Sequence, residues 1–158
     1  MKKLTHLAIA FFLLVAVNQV VAQQRHLGLG LIIGEPTGLS AKLWTSSVTA
    51  FDMGLGWSVR NLNNGEQATK IHIHIDYLRH AFNAIQTTEK LPLYYGFGGK
   101  FIGGDGDDGS LAIRGVLGLA WQPHQTPLDV FVELAPTLQV VPSSTFGVDA
   151  AIGFRYFF

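Results

Sequence analysis

From Leu27 onward the chain alternates. In "IHIHIDY", Ile71 to Tyr77, isoleucine or tyrosine holds every odd position and histidine or aspartate every even one, so an extended strand there has one apolar and one polar face. The same period of two returns in eight segments: His26 to Gly34, Leu39 to Ser46, Thr49 to Val59, Thr69 to Leu78, Leu91 to Ile102, Ser110 to Trp121, Leu128 to Ala135 and Phe146 to Phe158. Between them stand "GEPTG", "NLNNGEQ", "GGDGDDG", "QPHQTP" and "VPSS", whose glycine, proline, asparagine and aspartate favour turns. The longest connection, from Arg79 to Lys90, has room for one helical turn carrying Phe82 and Ile85.

Sorted by parity, one face is uncharged and rich in leucine, isoleucine and aromatics, from Leu27, Leu29 and Leu31 to Ile152, Phe154, Tyr156 and Phe158. The other takes every charge within these segments: Lys42, Asp52, Lys70, Asp76, Lys100, Arg114, Asp129, Glu133, Asp149 and Arg155. Its remaining positions are mostly small, including Gly54, Gly56, Gly96, Gly98, Gly118 and Gly153. A solvated face would favour long polar side chains. A narrow lumen crossed by a few large ionic groups needs small neighbours, so the polar face is expected to point inward and the apolar face outward to lipid, with His72, His74 and Asp76 inside. Trp57, Tyr77, Trp121 and Tyr156, toward strand ends, suit interfacial girdles.

The N-terminus adds a compartment. Lys2 and Lys3 precede an apolar run from Leu7 to Val17 and the small-residue site Val20-Val21-Ala22, so residues 1–22 read as a secretory signal, too short to span a bilayer, and residues 23–158 as one barrel domain. Beyond Gln23 no run approaches the roughly 20 apolar residues of a membrane helix. Cleavage removes two lysines from a balance of 11 basic and 11 acidic residues, leaving a near-neutral chain without the basic stripe that nucleic acid requires. There are 0 cysteines, so disulfides and a lipidated N-terminal cysteine are both excluded.

The closing residues, "AIGFRYFF", place Phe154, Tyr156 and the terminal Phe158 on the outward face. This end resembles the C-terminal assembly signal of bacterial outer-membrane barrels, and the chain from Gln23 to Phe158 resembles the small barrels of the outer-membrane protein A or X type. The resemblance implies an all-β, eight-stranded antiparallel up-and-down transmembrane barrel in the outer membrane of a Gram-negative cell envelope. It implies outer-membrane lipids as surroundings and the barrel-assembly machinery as a partner during biogenesis. With the N-terminus in the periplasm, connections near Glu35, Asn63, Asp105 and Ser143 would be external, and those near Ser47, Phe82 and His124 periplasmic. The loops are short for an adhesin.

Three functions fit the inward residues. Near balance of opposite charges in an eight-stranded barrel, whose interior side chains can fill, favours a plugged, salt-bridged lumen and a non-catalytic structural or interaction role. A narrow channel or small-ligand binder through the glycine-lined lumen is the alternative, as is a lipid A-modifying enzyme. For the last, Ser40 and Ser58 face inward, but the histidine-x-serine arrangement expected of the deacylase is absent. His72 and His74, with Asp76 or Asp52, have donor types that zinc accepts, yet spacing fixes no third ligand and no metal or cofactor is expected. The "GDGDDG" turn lacks the spacing and terminal glutamate of an EF-hand loop, so it reads as a polar turn.

Overall fold

The computed structural model describes residues 26–61, 67–104 and 107–158. The expected signal segment, residues 1–22, and the tips of the "NLNNGEQ" and "GGDGDDG" connections lie outside these residues. Eight strands follow one another: β1 (Leu27–Gly34), β2 (Gly38–Trp44), β3 (Thr49–Asn61), β4 (Gln67–Ala81), β5 (Leu93–Gly104), β6 (Asp107–Trp121), β7 (Leu128–Val141) and β8 (Thr145–Phe157). Each pairs antiparallel with the next, and β1 pairs with β8, closing the barrel. Closure removes the unpaired edges that any open sheet exposes. Among the described residues no helix is long and apolar enough to cross a membrane, which says nothing of strands.

Strict alternation turns the parity pattern into two surfaces. In β4, Ile71, Ile73, Ile75 and Tyr77 are exposed while His72, His74, Asp76 and Leu78 are buried. The same holds around the barrel, and outward side chains such as Phe97 and Phe146 leave about 70% of their surface uncovered (69% and 70%). The interior is the core, and it is not wholly ionic. Ile32, Leu78, Tyr94, Val116 and Phe131 are buried in it beside the charges, and Phe157 points inward.

Register explains the glycines. Gly54 stands opposite His74, Gly98 opposite Asp76, Gly118 opposite Tyr94, Gly153 opposite Phe131 and Gly28 opposite Phe157. In each case a β-carbon on the glycine would run into the partner's side chain. A bulky lumen group therefore lies across the cross-strand space that its neighbour's missing side chain leaves free. With β4 between β3 and β5, the sequence places Gly54, Gly56, Gly96 and Gly98 roughly beside the histidines, and across β3 Gly54 and Gly56 do face His74 and His72. Across β5 the histidines instead meet Ile102 and Lys100, and Gly96 and Gly98 face Leu78 and Asp76.

Several strands outrun the sequence expectation. β4 continues to Ala81, which places His80 inward and Arg79 outward, so one strand charge does lie on the outer face. The backbone from Phe82 to Pro92 forms turns and no helical turn, because the residues assigned to it are partly consumed by the longer strand. β7 runs through Pro136 to Val141. Proline lacks the N–H of a sheet ladder, and the β6–β7 pairing lapses beside it: Arg114↔Thr137 is followed in the same register by Leu117↔Leu134, with Gly115 and Val116 lacking β7 partners between, while the register itself shifts between Leu111 and Ala112.

The connections at 45–48, 82–92 and 122–127 share one end of the barrel with both described termini, here called the termini end; the opposite end carries the other four turns.

Candidate functional site in the barrel lumen

At the termini end, Arg155 of β8 reaches across the lumen. Its Nη2 donates to both oxygens of Asp52 at 2.7 Å, Nη1 to Asp129 Oδ2 at 3.2 Å and Nε to Ser40 Oγ at 2.8 Å. The guanidinium carbon sits 3.8 Å from the centre of the Phe131 ring, a cation–π contact. Lys42 donates to the same Asp129 oxygen at 3.0 Å, lies 3.9 Å from Asp52, and approaches His80 Nε2 at 3.3 Å. Its ammonium is 4.9 Å from the Tyr94 ring centre. Four strands thus converge on two cations and two carboxylates that are nearly inaccessible to solvent.

A second cluster occupies the middle and the turn end. Arg114 of β6 donates to Glu133 Oε1 at 2.6 Å, with its Nε 3.1 Å from Asp76 and its Nη1 3.6 Å from Asp149. Lys100 donates to both oxygens of Asp149 at 2.9 and 2.8 Å. Tyr94 donates to Glu133 Oε2 at 3.1 Å and so links the two clusters. Ionised groups in a low-dielectric interior are costly unless paired. The network meets that requirement by letting Arg114 and Arg155 each serve more than one carboxylate, which the planar, multi-donor guanidinium suits better than an ammonium.

Lys42, Asp52, His72, His74, Asp76, Lys100, Arg114, Asp129, Glu133, Asp149 and Arg155 all lie on the inner face, as the parity predicted. Lys70 shares their parity but is exposed at the turn end. His80 and Tyr94 are lumen groups that the sequence expectation left out. The signal for His80 was the even parity of β4 continued one step beyond Leu78; for Tyr94 it was the even row that leads to Lys100.

The histidines do not assemble a ligand set. The His72 and His74 rings are 5.7 Å apart, nearly edge-on, and His74 Nε2 is 3.9 Å from Asp76 Oδ2. Asp52 is held by Arg155 instead. Among the described residues no group of three or more histidine, cysteine, aspartate or glutamate side chains is placed to hold a metal ion. Ser40 accepts from Arg155; the side chain of Ser58 lies outside the described set.

No protein-family model matches the chain, and no curated protein or solved structure does. What it shares with the outer-membrane protein A and X type is architecture: eight antiparallel strands closed into a barrel.

Proposed function

We propose that the chain is a non-catalytic barrel integral to a bacterial outer membrane, with a plugged, salt-bridged lumen, acting as a structural or interaction protein. One observation carries this reading. Among the described side chains, large apolar groups dominate the outward face of the closed barrel, and the strand charges, Arg79 and Lys70 apart, turn inward. In water that arrangement would leave a continuous apolar belt exposed, far beyond the patches soluble monomers tolerate. In hydrocarbon it satisfies both the side chains and the backbone. Tyr95, Trp121 and Tyr156, exposed toward the termini end, fit an interfacial girdle, and Arg79, paired in register with Tyr95, is placed for its charge to reach headgroups. Phe154, Tyr156 and Phe158 would be the assembly signal.

The lumen favours anchoring over transport. Arg114, Arg155 and Lys42 are fully buried and span it from β6, β8 and β2 to carboxylates on other strands. The test is to refold the protein into lipid vesicles and a planar bilayer. The expected result is a folded form that migrates differently on unheated gels, stays with the vesicles at high pH, and gives no single-channel steps. Protein that stays in the supernatant would overturn the membrane reading; reproducible steps would overturn the plug.

A further inference from the structure

At the termini end, outside the plugged lumen, the 45–48, 82–92 and 122–127 connections surround a cavity of about 640 Å³. That volume lies within the range of small-molecule sites, which pair a mostly apolar lining with a few polar groups. Trp44, Phe82 and Phe157 supply aromatic surface. Among the described residues, Lys90, His26 and His124 are its cationic or titratable lining residues, and no carboxylate is in the lining. Among the described residues no carboxylate is ion-paired with Lys90, whereas His124 already engages one: its backbone N–H donates to Glu89 Oε2 at 3.0 Å, and its Nδ1 lies 3.1 Å from the same oxygen. Glu89 belongs to a neighbouring cavity of about 650 Å³, separated from the first by Phe82, Lys90 and His124. On the lumen side Trp44 packs against buried His80, with ring centres 4.4 Å apart and planes tilted by 47°.

We propose that this mouth cavity binds a small organic carboxylate with an aromatic or similarly apolar body, the body lying against Trp44 and Phe82 and the carboxylate meeting Lys90. Two features select that chemistry: an apolar lining fits the body, and a lysine side chain that no described carboxylate engages, in a described lining free of carboxylates, fits a single negative charge. Ligand binding is thereby assigned to the mouth and leaves the lumen closed, so it adds a function to the anchor.

The test uses the full barrel in lipid nanodiscs, with 4-(trifluoromethyl)phenylacetate followed by fluorine NMR and its neutral amide as comparison. Saturable binding with Kd of roughly 1 mM is expected for a ligand of this size. The amide, and the acid on Lys90→Gln, should bind about fivefold more weakly, the scale of an exposed ion pair. Arg79→Gln, a charge at the same end but on the outer face, should bind as wild type does. Unheated gel mobility confirms the fold of each variant, and Lys90 is exposed, so its substitution leaves the packed interior untouched. Equal binding of acid and amide, an unaffected Lys90→Gln variant, or the same broadening by protein-free nanodiscs would overturn the proposal. So would binding that disappears as protein density in the membrane rises, which would give the cavity to a second copy of the chain.

Discussion

Replacing Arg155 with glutamine tests whether the lumen network holds the barrel together. The substitution removes two contacts to Asp52, one to Asp129 and one to Ser40. Asp129 keeps Lys42 at 3.0 Å, but Asp52 is left with the same ammonium at 3.9 Å. The cost is thus set by one buried carboxylate losing its main partner, roughly 3–5 kcal/mol. With a urea dependence of about 2 kcal/mol per molar, the unfolding midpoint should fall by about 2 M. The assay is equilibrium urea unfolding in lipid vesicles, read by tryptophan fluorescence and by unheated gel mobility. Asp52→Asn in the same background removes the charge that needs Arg155, so the double variant should be less destabilised than the sum of the two single variants, by about 2 kcal/mol. A midpoint shift below about 0.3 M for Arg155→Gln, or simple additivity, would refute the reasoning.

Arg114→Ala should also lower the urea midpoint and, by unpairing Asp76 and Glu133, produce channel steps where the wild type is silent; a silent and equally stable variant would contradict the inward, paired Arg114. Gly118→Val drives side-chain atoms into the Tyr94 ring and should cost about 1–3 kcal/mol, whereas Gly99→Ala, whose new β-carbon would have its nearest described neighbour at 3.8 Å, should change stability by less than about 0.5 kcal/mol. Equal effects on the two midpoints would rule out the glycine-to-bulk pairing. At the mouth, the hydrogen bonds from the His124 side chain and backbone hold the Glu89 carboxyl below its ordinary value of 4.5. Because the folded value is depressed, the contact should survive acidification through 4.5 and be lost only below it. The His124 amide resonance should therefore titrate with a midpoint under 4.5, and Glu89→Gln should abolish that titration; a midpoint at or above 4.5 would contradict the contact.

Period-two alternation made the barrel legible because a strand's two faces are fixed by parity alone, and the charges of Lys42, Asp52, Arg114 and Arg155 marked the inner one. Strand ends were less legible. The alternating segment was expected to end at Ala135, but Pro136 is carried inside the strand by pairing on its β8 side, opposite Val148. The partners within the lumen were not legible either. That Arg155 meets Asp52, 103 positions away, depends on how the strands wrap around the barrel. Likewise the pairing of Gly118 with Tyr94 needs the β5–β6 register, which a single strand's pattern does not contain.

Pro136 has a kinetic consequence for this cylinder. Among the described residues the β5–β6 and β6–β7 seams both carry register shifts, and the β6–β7 seam in addition has a gap in pairing where Gly115 and Val116 come opposite Pro136 and Ala135. In a bilayer, backbone groups without partners find no water to replace them, so the wall is weakest there. The barrel should open along this line more readily than along the uninterrupted β3–β4 seam, with the Gly115 amide, which faces β7, exchanging deuterium ahead of those in that seam, while Val116 turns its N–H to β5 opposite Gly96. A barrel whose interior is locked by ion pairs can in this way still have a hinge line on its apolar outer side.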